Sequence, residues 1–157
     1  QLLMTSEWQN CVQEVELDVR EMVTYLGLCD ATGGSTFEGY RLNVRVIRPQ
    51  GVIFDGKDFV YIGLYSQMAI LKVDTDTGYT KMFASTPEKV RYLAFSQETG
   101  KLHAVVDDGF LSFNVFFEPL YDMGGAIQGA STVLGPYGAS TELEDGIWIL
   151  GNPQRNR

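Results

Sequence analysis

Two prolines, Pro49 and Pro136, stand 87 positions apart and open similar stretches of sequence. That interval is two periods of about 43 residues, and about 40–45 is expected of a four-stranded sheet used as a repeated unit. The clearest copy runs from Arg48 to Ala84. Its apolar runs predict four short strands at Gly51–Phe54, Phe59–Leu64, Met68–Asp74 and Tyr79–Ala84. Asp55-Gly56-Lys57-Asp58, Tyr65-Ser66-Gln67 and Thr75–Gly78 supply the turns, where glycine accepts the positive φ that tight hairpins need. A second copy begins near Val90, with strands expected at Tyr92–Phe95, Leu102–Val106 and Phe110–Phe116. Its fourth strand is placed between Phe117 and Met123. A third copy starts at Gly135-Pro136-Tyr137-Gly138 and passes through Asp145-Gly146 to Ile147–Leu150 and Asn152.

The N-terminal segment fits the same scheme from its middle onward. Val12–Leu17 and Met22–Gly27 alternate apolar and polar residues, matching the third and fourth strands of a unit, although Val12, Val15, Val19, Met22, Val23 and Leu26 also suit a helix. Cys11 and Cys29 are the only cysteines, and their midpoint falls in the turn-like Asp18-Val19-Arg20-Glu21. A hairpin folded there sets the two sulfurs across from each other, which permits a disulfide. A disulfide implies an oxidising, extracellular location. The glycine-rich stretch from Thr32 to Gly39 reads as a connection to the next unit.

Pro-x-Gly-Val, Phe-Asp-Gly, Val-Tyr-Ile and then Ile-x-Lys-Val-Asp-x-x-Thr-Gly, all within residues 49–78, resemble an NHL repeat. The resemblance implies an all-β chain of β-propeller blades, each with four antiparallel strands, in a family whose rings have six. The chain divides into an outer half-blade at 8–28, a blade at 45–84, a degenerate blade at 88–130 and an inner half-blade at 133–152. These add to about three blades, below the usual minimum of about four. The expectation is therefore a half-propeller, completed by a second copy of the chain or by sequence missing from a longer protein. In the first case, the strands within 138–150 of one copy pair with the outer strands of the other.

The net charge of −8, from twenty acids and twelve bases, disfavours nucleic acid and anionic membranes as partners. No apolar stretch approaches the 18–20 residues of a membrane span. Gln1-Leu2-Leu3-Met4 lacks a basic n-region, so a mature product or a fragment is expected. One histidine, His103, and two cysteines do not make a zinc site. The leading expectation is a secreted module without catalytic residues or cofactor, which binds another protein or itself. Its binding residues are expected in the loops between second and third strands: Tyr65, Ser66 and Gln67, then Asp107 and Asp108, then Gln154 and Arg155. The alternative is a calcium-dependent hydrolase or lyase with a metal in the axial channel. Its oxygen ligands would come from Asp107, Asp108, Glu142 and Asn152. The strand aromatics, Tyr61 and Phe113 among them, are expected to pack between blades, and the dense Phe113–Phe117 run is a second candidate for a partner surface.

Overall fold

The computed structural model describes residues 2–115 and the strand segments 130–134, 141–142 and 148–149. The described residues form antiparallel sheets and no helix. The first sheet is a three-strand meander of β1 (Leu2–Ser6), β2 (Cys11–Glu16) and β3 (Glu21–Leu26). The second orders β4 (Gly39–Tyr40) beside β8 (Tyr79–Ser85), then β7 (Ala69–Asp74), β6 (Phe59–Leu64) and β5 (Pro49–Phe54). The third runs β9 (Val90–Ser96), β10 (Lys101–Val106), β11 (Gly109–Asn114) and β12 (Ala130–Leu134). A short pair, β13 (Thr141–Glu142) and β14 (Trp148–Ile149), follows.

The turns explain why these strands form where they do. In the second sheet the Asp55 carboxylate accepts the backbone N–H groups of Lys57, Asp58 and Phe59 at 2.8, 3.0 and 3.1 Å. Asp74 accepts those of Asp76 and Thr77 at 3.1 and 2.8 Å, which holds its carboxyl below the usual range, chiefly through Thr77. Both are Asx turns that satisfy donors the strands cannot reach. The last residue of three four-residue turns is left-handed: Arg20 (φ 59°), Gly78 (φ 69°) and Gly100 (φ 65°). Each donates its N–H back to the strand before, to Glu16, Asp74 and Ser96 at 2.8, 2.8 and 2.9 Å.

The first two sheets repeat one another without a gap. β1, β2 and β3 correspond to β6, β7 and β8, so that Asn10 (φ 58°) stands where Met68 (φ 47°) stands. Even the irregularities correspond: the ladder slips between Val12 and Gln13 in one sheet and between Ile70 and Leu71 in the other. The sheets stack in chain order, with β1 against β5, and β6 and β5 against β9. The second sheet is consequently buried on both faces. Val60, Ile62, Leu64, Leu71 and Val73 join Val12, Leu26, Val44 and Val46 in one core. On the opposite face, Tyr61, Ile70, Phe83 and Ala84 meet Val90, Leu102, Leu111 and Phe113 in another. Full burial of each large apolar side chain contributes roughly 1.5–3 kcal/mol, so these interlayer cores dominate the fold. Tyr61 and Phe83 meet edge to face with centroids 5.2 Å apart, as do Phe83 and Phe113 at 5.8 Å.

Several expectations need correction. The N-terminal segment contributes three strands and not two, because β1 precedes the predicted pair. The strand beside β11 is Ala130–Leu134, and the fourth strand expected between Phe117 and Met123 lies outside the described residues. The stretch after Leu28 is more than a connection: β4 extends the second sheet, Thr36 bridges Arg45, and Val44 and Val46 enter the core. Cys11 and Cys29 do form a disulfide, with Cα atoms 5.0 Å apart. The hairpin turns at Leu17–Arg20, as the midpoint implied, but Cys29 lies beyond the end of β3. Packing between layers holds for Tyr61 and Phe113, whereas Trp8 and Tyr92 are 87% and 59% exposed.

Candidate binding face

The turns between β1 and β2, between β6 and β7, and between β10 and β11 mark one end of the stacked sheets, and a chain of side chains links them. Arg48 holds a left-handed backbone (φ 53°) directly before Pro49, a conformation disfavoured for a non-glycine residue. It is held from both sides. Its N–H donates to Asn10 Oδ1 at 3.0 Å, and its carbonyl accepts the Tyr65 N–H at 3.0 Å. The Arg48 guanidinium donates to the Glu7 carboxylate, through Nε at 2.8 Å and also through Nη2. That hydrogen bond, and then one from Gln50, hold the Glu7 carboxyl below its usual range.

Tyr65 is the centre of the face. Arg48 and Arg91 place their guanidinium carbons 4.6 and 4.3 Å from its ring centroid, and the Lys89 ammonium lies 5.0 Å away. Arg91 also donates to the Tyr65 hydroxyl at 3.2 Å and, through Nε, to Asp107 Oδ1 at 2.6 Å. A continuous path therefore runs Glu7, Arg48, Tyr65, Arg91, Asp107, crossing three sheets.

Two of the sequence-predicted residues, Tyr65 and Asp107, are thus brought together through Arg91. Asp108 is exposed in the same turn as Asp107. Gln67 serves the scaffold instead. Its Oε1 accepts the Ile47 N–H at 3.0 Å and its Nε2 donates to Ser35, pinning the 35–47 connection. Gln154 and Arg155 lie outside the described residues, as do Asn152 and the side chain of Glu142. The sequence reading missed Glu7, Arg48, Lys89 and Arg91. A signal existed, since Arg48 and Lys89-Val90-Arg91 both stand at the entry to the first strand of a unit.

A second, shallow groove lies on the outer part of the second sheet, lined by Phe59, Lys72, Asp74, Thr77, Tyr79 and Lys81. Lys72 sits 3.8 Å over the Phe59 ring, and the Tyr79 hydroxyl donates to Glu38 at 2.8 Å. Among the described residues no three His, Cys, Asp or Glu side chains come together as metal ligands, and no helix is long and apolar enough to cross a membrane.

No family model matches the sequence, and no curated protein does. The backbone resembles a crystal structure of an auxiliary nutrient binding protein from Bacteroides ovatus, with a TM-score of 0.51 and 10% sequence identity. The likeness covers 65% of this chain and spans 31% of that one, and at such identity it concerns the fold alone.

Proposed function

We propose that this chain is a binding module made of β-propeller blades, acting outside the cell, with its loops between second and third strands as the binding surface. The observation that carries the reading is the repeated packing step: the first sheet meets the second as the second meets the third. Radial stacking of like sheets is how a propeller is built, and it gathers corresponding turns at one end. The Glu7–Asp107 path spans those turns. The Bacteroides ovatus protein, for its part, is named as a binding protein. The disulfide suits an oxidising compartment.

The partner is another protein or a second copy of this chain, and one observation favours the second copy. Leu2, Met4 and Met22 lie on the face of the first sheet turned away from the second and are 53%, 43% and 56% exposed. Their counterparts one unit on, Val60, Ile62 and Thr80, are at most 2% exposed, and Val60 and Ile62 pack in one core with Val12 and Leu26 of the first sheet and Val44 and Val46 after it. A face built to be covered is an association surface. Size-exclusion chromatography with light scattering tests the reading. A mass twice the 17.5 kDa of one chain is expected, and a monomer at all concentrations would rule out self-assembly.

A further inference from the structure

We infer that the three cations around Tyr65 form a subsite for one oxyanion group, a carboxylate or a sulfate, carried by a small solute. The inference rests on the loop-face reading and specifies its chemistry. The chain has only twelve basic residues and a net charge of −8, yet Arg48, Lys89 and Arg91 all lie within 5.0 Å of one ring centroid. The ring face attracts cations but brings no net charge. Glu7 and Asp107 each engage one of the two arginines, so among these five side chains the charge of Lys89 is the one left over. Lys89 is exposed and has no carboxylate partner among the described residues.

The backbone is set in advance as well. The left-handed Arg48 backbone is clamped by hydrogen bonds with both neighbouring turns, and Glu7 holds its guanidinium in place. Strain of this kind concentrates at ligand clamps. The size of the cluster selects the ligand. Three cations around one ring match a single oxyanion, whereas an extended polyanion would run onto Glu7, Asp107 and Asp108 and be repelled.

The probes are galacturonate, its neutral methyl ester and inorganic sulfate, titrated into the oxidised protein at low salt while backbone amide shifts are followed by NMR. Galacturonate and sulfate are expected to move the amides of Arg48, Tyr65, Lys89 and Arg91, and the ester is not. A response to galacturonate alone identifies the carboxylate source, and one to sulfate alone the sulfate source. Lys89→Gln, an exposed substitution that leaves the cores untouched, should weaken galacturonate binding about three- to fivefold. Equal shifts from acid and ester at the Tyr65 and Asp107–Asp108 turns would overturn the oxyanion subsite and leave the loop face as a binding surface. Shifts confined to residues away from those turns would overturn both. Absence of shifts with all three probes, or unchanged affinity in Lys89→Gln, would overturn the subsite.

Discussion

Gly63 lies in β6 where the third sheet comes closest, and a Cβ built on it would stand 2.5 Å from Val90 Cγ1 and 3.6 Å from Leu93. Val90 is fully buried and β-branched, so it has no rotamer into which to retreat. Gly63→Ala should therefore destabilise the fold by about 1–3 kcal/mol, measured by urea unfolding. Thr5 occupies the corresponding place one unit earlier and instead donates its hydroxyl to the Gln50 carbonyl at 3.2 Å, so that approach leaves room for a side chain. Glu7 contributes differently. Its folded-state pKa lies below 4.5, so its link to Arg48 adds stability that is present above that pH and is lost as pH falls through the lower, folded value. The stability difference between the wild type and Glu7→Gln should be constant from neutral pH to about pH 5 and shrink on further acidification. A difference that persisted unchanged at about pH 3 would remove the carboxylate from the account. Residues of this kind were only partly legible. Tyr65 and Asp107 stand in recognisable turns, but the arginines that join them reach across from other loops, and no pattern within one hairpin reveals a contact between two sheets.

At the level of elements, the strands with strong alternation and Asp-Gly or Thr-Gly turns were legible nearly to the residue. β6 spans Phe59–Leu64 as expected, and β5, β7 and β8 differ by a residue or two at their ends. The missed strands lack those signals. β1 reads Leu-Leu-Met-Thr-Ser without alternation, since its second face is apolar too, and β4 is two residues long, held by Thr80 and Tyr79 of its neighbour. The disulfide ties the first strand–turn–strand element together. It closes a sequence separation of 18, for which restriction of the unfolded chain is worth about 3 kcal/mol. Reduction should lower stability by about 2–3 kcal/mol, seen as a drop in the thermal midpoint with added dithiothreitol. An unchanged midpoint, with both thiols shown to be free, would mean that β2 and β3 are held by their ladder and packing alone.

For the molecule as a whole, the count of layers was harder to read than the strands within one. Strands and hairpins follow from turn chemistry, which is local. How many layers stack, and against what, depends on faces whose coverage one chain's pattern does not specify. The apolar face of the first sheet makes the point. Leu2, Met4 and Met22 share one face and are apolar like core residues, and their exposure appears only when the layers are assembled. If a second copy covers that face, Met4→Lys combined with Met22→Lys should return the protein to a monomer by light scattering. Each layer would stay folded, because neither residue belongs to the two interlayer cores. A double variant that still ran as a dimer would assign the contact to another surface.

The corresponding turns also bear on how such a chain diverges. Asn10 and Met68 share a left-handed backbone, as do Arg20 and Gly78, although their side chains have nothing in common. Only glycine adopts that conformation without strain, so it persists at Met68 and Arg20 because the turn demands it. What the two sheets share is therefore a series of dihedral angles more than a series of side chains. Two units whose angles agree could be exchanged by recombination with their hairpins intact, however little of their sequence still corresponds.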